Sequence, residues 1–406
     1  MNRVVVTGIG ISSPIGNHLD EVSAALQSGQ HGVRYMEDWD RIGNLSTRLA
    51  APVDGLELSF ARKKVRGMGR VALLSLHATE QAVADAGLTS DDLTSGRTGV
   101  SYGSTHGSSS SLEAFCRQLF ESNSLAGLTP STYIKFMSHT CAANLAIFYG
   151  IRGRIHTTCS ACTSGSQGIG YGYEAIKFGQ QDIMVCGGAE ELHFTHSGVF
   201  DLLYATSTSF NDAPERSPRP FDADRDGLVV GEGAGTLILE SYERARARGA
   251  HIHAEVLGYG TSCDGQHITS PSVDGMSAAM RLALEDARLD ASSVQYINAH
   301  ATATKVGDIC ESLATQSVYG GDVPISSTKG HTAHTLGACG AVESIFCLAM
   351  LRDGFVPPTR NLDTADPDCA ALDYVVGEPR DIKLSVVASN NFAFGGINTS
   401  LLFGKV

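Results

Sequence analysis

A cysteine among small side chains is the strongest candidate for chemistry in this chain. Cys162 lies in the segment Thr157-Thr-Cys-Ser-Ala-Cys-Thr-Ser-Gly-Ser166, where the small residues leave room around a thiol and a helix is predicted to begin. Unpaired amides at the start of a helix carry partial positive charge, which favours a thiolate over a thiol. The segment therefore predicts an exposed cysteine nucleophile with a lowered pKa.

Two histidines lie far downstream in similar surroundings. His300 belongs to Asn298-Ala-His-Ala-Thr-Ala-Thr304, and His334 belongs to Lys329-Gly-His-Thr-Ala-His-Thr-Leu-Gly-Ala338. A helix terminus contributes only about 1 kcal/mol, so a neighbouring imidazole must supply most of the activation of the thiol. An imidazole can also hydrogen-bond the oxygen of a thioester or an enolate. Together the three residues predict acyl transfer through a thioester.

Other chemistries fit these residues less well. Cys159 and Cys162 form a Cys-x-x-Cys pair, which could be a redox pair or half of a metal site, but no second pair has suitable spacing. His331 and His334 have a spacing that could hold a metal, yet their segment lacks a carboxylate or a thiolate. A cysteine among small residues can also simply fill a core, and a lone histidine can be a satisfied polar group. We predict no metal site.

Composition excludes several classes of protein. The chain has 406 residues, 42% of them hydrophobic and 18% charged, which is typical of a packed α/β enzyme with more than one domain or a duplicated domain. Its net charge of -13 argues against nucleic acid or an anionic membrane as the main partner. The opening Val4–Gly10 stretch is too short and glycine-broken for a secretion signal. We expect a cytoplasmic protein whose ten cysteines are reduced.

The chain repeats a pattern of strands and helices. Alternating strands and helices predict sheets layered with helices, with sites at strand ends and helix starts. We predict two similar halves, residues 1–250 with the nucleophilic cysteine and residues 251–406 with the two histidines. The matching segments are Val6–Gly10 with Val256–Gly260, Gly99–Gly103 with Tyr296–His300, the helix after Cys162 with the helix after His334, and Asp182–Gly188 with Leu384–Ser389.

Two nucleotide or cation motifs are absent or incomplete. Asp222-Ala-Asp-Arg-Asp-Gly227 imitates the start of a calcium loop, but its twelfth position is Gly233, and Glu232 comes one place early. The sequence has no Walker loop, and no Gly-x-Gly-x-x-Gly follows an opening strand. Calcium and nucleotide binding therefore have no support.

Several ordered motifs resemble one family over the whole chain. The motifs are Ser160-Ala-Cys162, Arg219-Pro-Phe-Asp-Ala-Asp-Arg-Asp-Gly227 with Gly231-Glu-Gly233, Val306-Gly-Asp-Ile-Cys-Glu311, Lys329 with His334, and Asn390-Asn-Phe-Ala-Phe-Gly-Gly-Ile-Asn398. By these motifs the chain resembles the β-ketoacyl-acyl carrier protein synthases of the thiolase superfamily, specifically the elongating type I/II enzymes. This resemblance implies a thiolase-like duplicated fold with five layers, α/β/α/β/α, usually assembled as a homodimer.

The resemblance also implies a reaction. Cys162 would take an acyl group from a carrier thioester and then react with malonyl held on a second acyl carrier protein. Loss of carbon dioxide creates the carbon nucleophile, and His300 and His334 would stabilise the enolate thioester. The product is a 3-oxoacyl chain two carbons longer. The resemblance implies no cofactor, because the substrates are held on the phosphopantetheine of the carrier.

Further residues take roles from the same resemblance. Lys329 and Glu311 match supporting charges near the histidines, and Thr302 and Thr304 match positions that hydrogen-bond the pantetheine arm. Phe392 matches a gate between the thiol and the acyl pocket. Its backbone amide and that of the nucleophile would form the oxyanion hole.

An acidic carrier requires a local basic surface on this acidic chain. Arg62, Lys63, Lys64, Arg66 and Arg70 are the candidates. The three arginines recur every four residues and are predicted to share one helix face, which suits carboxylates and phosphate. The alternative is a solvated helix without a partner.

Some positions depart from the family pattern. Ala301 and Ala393 stand where glycine is usual, Leu228 replaces a usual phenylalanine, and Ile397 replaces a usual threonine. If position 393 needs a positive φ, alanine costs about 1 kcal/mol there and displaces the loop of Phe392. These departures favour a specialised synthase of a polyene, polyketide or unusual fatty acid pathway.

Two alternatives remain open from the sequence. One is a non-condensing or partner-dependent subunit, similar to the chain-length factors of heterodimeric ketosynthases; retention of Cys162 argues against it. The other is a thiolase or a related enzyme that uses coenzyme A directly, which the paired histidines fit less well. An active chain could still form a heterodimer with a related subunit.

Overall fold

The computed structural model describes residues 1–56 and 60–406 as a mixed α/β structure. The strands are β1 Val4–Ser12, β2 Arg34–Tyr35, β3 Leu49–Ala51, β4 Thr98–Gly103, β5 Ile155–Thr158, β6 Ile183–Glu190, β7 Val230–Gly231, β8 Gly233–Ser241, β9 Ala254–Cys263, β10 Tyr296–Asn298, β11 Ile325–Ser326, β12 Phe355–Val356, β13 Arg380–Asp381, β14 Val386–Ala393 and β15 Ile397–Gly404.

The helices alternate with these strands. They are α1 Leu19–Ser28, α2 Arg62–Val65, α3 Arg70–Asp85, α4 Ser90–Thr94, α5 Ser109–Ser122, α6 Pro130–Phe136, α7 Thr140–Tyr149, α8 Ser164–Lys177, α9 Phe194–Leu202, α10 Tyr242–Ala247, α11 Val273–Ala287, α12 Lys305–Tyr319, α13 Lys329–Thr332 and α14 Cys339–Asp353. Short 3-10 turns occupy Glu37–Arg41, Ala161–Thr163, Pro214–Arg216, Ala291–Ser293 and Leu336–Ala338.

One ten-stranded sheet runs through both halves of the chain. Its order is β11-β10-β14-β15-β9-β1-β8-β6-β4-β5. Five of these strands, β1, β4, β5, β6 and β8, come from the first half of the chain, and the other five come from the second half. The two groups meet where β1 pairs with β9 in antiparallel register, with Val4 opposite Val256. Strands β4, β5 and β6 are mutually parallel, as are β10, β11 and β14. Each half therefore has a parallel outer part and an antiparallel inner part.

The predicted repeat appears in this strand order. Counting outwards from the β1–β9 junction, β8 corresponds to β15, β6 to β14, β4 to β10 and β5 to β11. The matched segments of the sequence analysis lie on the pairs β1 and β9, β6 and β14, and β4 and β10. The boundary between residues 250 and 251 falls between α10 and β9 and stays a prediction.

Two central helices hold the halves together. Helices α8 and α14 pack against each other and against strands of both halves, while α3 packs on β1 and β8, and α11 packs on β9 and β15. The central helices lie close because small residues face each other: a Cβ on Gly165 would lie 2.8 Å from the amide nitrogen of Ala341. The central helices form a middle layer between the two halves of the sheet, and α3 and α11 pack on the outer sides. The five-layered, thiolase-like α/β/α/β/α arrangement is thus confirmed.

The predicted basic helix face is wrong. Helix α2 ends at Val65, and α3 begins only at Arg70, after Gly67 and Gly69 break the helix. Two of the three nitrogens of the Arg70 guanidinium, Nε and Nη2, donate to the buried carboxylate of Glu232, so this arginine has a structural contact. The other four cations of the segment, residues 62–64 and 66, remain exposed.

Within residues 1–56 and 60–406, no helix has the length and apolar character needed to cross a membrane.

Candidate active site

Cys162 stands at a tight turn between a strand and a helix. Strand β5 ends at Thr158, the 3-10 turn Ala161–Thr163 follows, and α8 begins at Ser164. Ala161 has φ +50°, a left-handed conformation that is uncommon for residues other than glycine. The turn places Cys162 as predicted, but the side chain is only 7% exposed. The predicted exposed nucleophile is thus a buried one that opens onto an internal cavity.

His334 faces the thiol directly. Its Nε2 lies 3.0 Å from Cys162 Sγ. The ring is held by a bent segment in which Ala333 and Leu336 both have positive φ. The backbone N–H of His334 donates to the carbonyl of Val229 at 2.8 Å, which fixes the segment against the first half of the chain.

His300 lies beside this pair at the end of β10. Its ring centroid is 5.1 Å from that of His334, with the planes nearly perpendicular at 86°. The Glu311 carboxylate accepts the backbone N–H of His300 at 2.7 Å and that of Ala301 at 2.6 Å. Burial raises the pKa of Glu311 to about 8, against the lowering effect of the His300 amide and Lys329. Glu311 therefore holds the backbone of the histidine rather than its ring.

Lys329 is fully buried and has a partner that the sequence analysis missed. Its Nζ donates to the carboxylate of Glu343 on α14, and the other oxygen of that carboxylate accepts the Asn391 side-chain amide at 2.7 Å. A signal existed in the sequence, because Glu343 is the only acidic residue in the otherwise uncharged run Cys339–Leu351. A buried ammonium requires such a partner.

The expected lowering of the thiol pKa is also wrong. Burial raises the pKa of Cys162 to about 12, and the nearby Lys329 ammonium offsets only part of this effect. Burial likewise lowers the pKa of His300 and of His334 well below the usual range, and Lys329 adds to both shifts. The resting pair is therefore a neutral thiol and a neutral imidazole, because removing charges from water outweighs the field of the helix start. Such a pair can transfer the thiol proton to His334 while sulfur attacks.

A cavity of about 480 Å³ leads from the surface to these residues. Cys162, both histidines, Glu311 and Phe392 line it, and so do Thr302 and Thr304, whose hydroxyl oxygens are 3.1 Å apart. The Phe392 ring lies 6.1 Å from the His300 ring. The structure thus brings together seven residues that the sequence singled out. Additional lining residues that the sequence analysis did not assign are Phe200, Leu203, Tyr204, Asp264, Ile268 and Met276.

The departures from the family pattern have specific structural outcomes. Neither Ala301 nor Ala393 has a positive φ, so the suggested strain at position 393 does not arise. The left-handed residues of the 393 loop are Gly395 and Gly396. Leu228 lines the cavity and packs in a small apolar cluster with Phe200.

The calcium-like segment has a structural role. The Asp222 carboxylate accepts hydrogen bonds from the Arg219 guanidinium and from the backbone amides of Asp224, Asp363 and Thr364. These contacts join the segment to a distant loop and occupy the carboxylate.

Comparison with known proteins agrees with this geometry. The family model for the N-terminal domain of β-ketoacyl synthases matches residues 1–245, and the model for the C-terminal domain matches residues 253–363. The chain is 37% identical over 407 residues to the 3-oxoacyl-acyl-carrier-protein synthase 1 of Haemophilus influenzae, which covers 100% of this chain and 99% of the relative.

Two solved structures are similar over the full chain. A β-ketoacyl synthase from Burkholderia phymatum STM815 is 52% identical with a TM-score of 0.97 and 100% coverage of both chains. The ishigamide ketosynthase/chain length factor is 35% identical with a TM-score of 0.93 and covers 100% of this chain and 99% of its own. With both domain models matched and a cysteine and two histidines converging in one cavity, the chain belongs to the β-ketoacyl synthase family.

Proposed function

We propose that this chain joins an acyl group held on Cys162 to malonyl held on an acyl carrier protein, releasing carbon dioxide and a 3-oxoacyl thioester two carbons longer. The observation that carries the proposal is the 3.0 Å contact between Cys162 Sγ and His334 Nε2 at the inner end of the cavity. The full-length similarity to 3-oxoacyl-acyl-carrier-protein synthases supports the same reaction class.

The first half of the reaction loads the enzyme. His334 accepts the proton of Cys162 as sulfur attacks the carbonyl carbon of the incoming thioester. The negative charge on the carbonyl oxygen is stabilised by the backbone amides of Cys162 and Phe392, which we assign as the oxyanion hole. The carrier sulfur leaves with the proton, and an acyl thioester remains on Cys162.

The second half forms the carbon–carbon bond. Malonyl thioester enters the cavity and loses carbon dioxide, which leaves an enolate. Neutral His300 and His334 donate N–H groups to its oxygen, His334 after its proton has moved from Nδ1 to Nε2 through solvent, and their lowered pKa values keep both rings neutral. The enolate carbon attacks the acyl carbon, the bond between that carbon and sulfur breaks, and Cys162 leaves as a thiolate that takes up a proton from solvent to restore the resting thiol. Thr302 and Thr304 are assigned to the pantetheine arm because their hydroxyls line the cavity.

The carrier docks, in this proposal, on the exposed cations Arg62, Lys63, Lys64 and Arg66. An acidic carrier needs local positive charge because the chain as a whole has a net charge of -13. Arg70 contributes less to docking, since its guanidinium is held by Glu232.

We further propose a homodimer formed along the outer edge of the sheet. Strand β5 is the last strand of the ten, and among residues 1–56 and 60–406 it pairs only with β4, which leaves one side of its backbone unpaired by these residues. Ile155 on β5 is 50% exposed, and Ile147 on the adjoining α7 is 79% exposed. An exposed strand edge that carries an apolar side chain favours pairing with another chain. A related subunit could take the same place, as the name of the ishigamide ketosynthase/chain length factor illustrates.

Substrate choice is proposed to be specialised. Leu228 lines the cavity where the family pattern has a phenylalanine. Acyl competition assays with saturated, unsaturated and aromatic carrier thioesters test this proposal. Preference for unsaturated or unusual starters is expected, and an ordinary saturated profile up to long chains would contradict it.

Intact mass spectrometry tests the reaction itself. The purified chain is incubated with a panel of acyl carrier thioesters and with malonyl carrier, and Cys162→Ala serves as the control. We expect acylation at Cys162 followed by a 3-oxo product two carbons longer. Absence of Cys162-dependent acylation with every thioester would favour the alternative, a non-condensing or partner-dependent subunit.

A further inference from the structure

Three soft or borderline metal-ligand atoms converge at the inner end of the cavity. A ligand atom from each of Cys162, His300 and His334 lies within 4.8 Å of the other two, and all three side chains are buried. We propose that these residues bind one thiophilic divalent cation, best matched by Zn²⁺, and that this cation reversibly blocks acylation of Cys162. The blocking effect rests on the proposed function, whereas the binding does not.

The donor set is the first argument. One thiolate and two imidazoles, with a fourth position left open, form a common protein environment for Zn²⁺. All three side chains line the cavity, which can supply a water molecule as the fourth ligand. On binding, the thiol bond to hydrogen is replaced by a bond from sulfur to the metal, and the proton passes to solvent. No oxidation or reduction is involved.

The distances are the second argument. Zn–S bonds of about 2.3 Å and Zn–N bonds of about 2.0 Å place sulfur and nitrogen roughly 3.5 Å apart in a tetrahedron. Cys162 Sγ and His334 Nε2 are 3.0 Å apart, so they separate by only about half an ångström to admit the ion. The ligand atom of His300 lies within 4.8 Å of the ligand atoms of Cys162 and His334 and must move slightly closer to both.

A second set of residues near the site is less suited to a cation. His300, Cys339 and Glu343 also lie within 4.8 Å of one another. The Glu343 carboxylate, however, already binds Lys329 and Asn391, and the Cys339 thiol donates to the carbonyl of Cys162 at 3.1 Å. Capturing these groups would leave the Lys329 ammonium buried without its partner. Substitution of Cys339 therefore serves as a control for substitution of Cys162.

The supporting shell indicates reversible binding rather than a resident metal. Ligand histidines of tight sites donate their second N–H to a carboxylate or a carbonyl. Here Nδ1 of both His300 and His334 is buried without a hydrogen-bond partner among residues 1–56 and 60–406. The nearby Lys329 charge further disfavours a cation. The cavity offers a path for exchange, so a chelator is expected to remove the ion.

Metal titration of the chelator-treated, full-length chain tests the proposal without any carrier substrate. Zn²⁺ affinity is measured by competition with a chromophoric chelator, and stoichiometry by native mass spectrometry. We expect about one Zn²⁺ per chain, and at least a tenfold weaker affinity in Cys162→Ala and His334→Ala, as loss of one ligand implies. Co²⁺ is expected to give a thiolate-to-metal absorption band that Cys162→Ala abolishes.

Matched variants and a second readout locate the site. Cys339→Ala and Cys159→Ala are expected to keep the wild-type affinity, and circular dichroism checks that every variant is folded. Zn²⁺ is expected to slow iodoacetamide alkylation of Cys162, with recovery on addition of EDTA. Unchanged affinity in Cys162→Ala, or a loss confined to Cys339→Ala or Cys159→Ala, would overturn the proposal. Binding without slower acylation from a carrier thioester would overturn only the blocking effect.

Discussion

At the scale of single residues, the site keeps its reacting groups neutral. Cys162 is a buried thiol, and His334 is a buried imidazole whose Nε2 lies 3.0 Å away. Ionising the pair in advance would place a thiolate and an imidazolium in a poorly solvated cavity, whereas proton transfer during attack places the negative charge on the thioester oxygen, where the proposed oxyanion hole stabilises it. The positive charge of the nearby Lys329 ammonium is balanced by the carboxylate of Glu343 in a buried ion pair.

The raised thiol pKa predicts the pH dependence of alkylation. A pKa of about 12 for Cys162 means that the thiol is protonated throughout the range from neutral to moderately alkaline pH. The rate of iodoacetamide alkylation at Cys162 should therefore rise roughly tenfold per pH unit from about pH 7 to pH 10, without a plateau. Peptide mass spectrometry measures the rate, and a model cysteine peptide, which levels off near pH 9, is the control. A plateau for Cys162 below pH 8 would show a thiolate instead.

The buried ion pair predicts an asymmetric response to mutation. Glu343→Gln leaves the Lys329 ammonium buried without a compensating charge, so we expect a loss of about 3–5 kcal/mol in the free energy of unfolding. Urea unfolding followed by fluorescence measures the loss. The double variant Lys329→Met with Glu343→Gln should lose less than Glu343→Gln alone. A double variant as unstable as the sum of the two single ones would contradict this account.

At the scale of elements, breaks in the chain decide which side chains can act together. Gly67 and Gly69 separate α2 from α3, and the arginines at 62, 66 and 70 consequently do not form one stripe. The first two remain exposed, while the third holds the buried carboxylate of Glu232. Spacing by four residues predicts a common face only where the helix is continuous.

Substitutions of Arg66 and Arg70 should accordingly affect different properties, carrier binding for Arg66 and stability for Arg70. Arg66→Glu is expected to weaken carrier docking, raising KM for the acyl carrier at least severalfold while the melting temperature stays unchanged. Arg70→Ala should lower the free energy of unfolding by about 1–3 kcal/mol, because the buried Glu232 carboxylate loses its cationic partner and keeps the backbone N–H groups of Val53 and Leu192, while the partial exposure of the arginine limits the effect. Steady-state kinetics and thermal unfolding measure the two effects. The docking assignment fails if Arg66→Glu leaves KM unchanged.

At the scale of the whole molecule, the duplicated halves share one sheet and meet at the central helices. Helix α8 carries the cysteine turn at its start, and α14 follows the histidine segment. Their close contact at Gly165 brings residues 172 positions apart into hydrogen-bonding distance. The same sheet ends at β5, where the unpaired edge is available for assembly.

The assembly proposal predicts that Ile155→Lys produces monomers. A charged side chain on an apolar strand edge prevents the burial that pairing requires. Sedimentation velocity measures the state of the variant. Leu282→Lys on α11, which likewise replaces an exposed aliphatic side chain by lysine, is the matched control and should leave a dimer intact. A wild-type monomer, or a dimer that survives Ile155→Lys, would rule out this edge as the interface.

The sequence by itself determined the features that depend on local pattern. Strand and helix periodicity revealed the duplication, and small residues around Cys162, His300 and His334 marked three junctions that the fold brings into one cavity. Tertiary structure alone decided the features that depend on burial and on distant contacts. Burial raises the pKa of Cys162, so that its thiol stays protonated, and Lys329 pairs with Glu343. Arg70 pairs with Glu232 and is therefore less available to a carrier than its exposed neighbours. Desolvation and ion pairing depend on which atoms surround a group, and residues distant in the sequence supply those atoms.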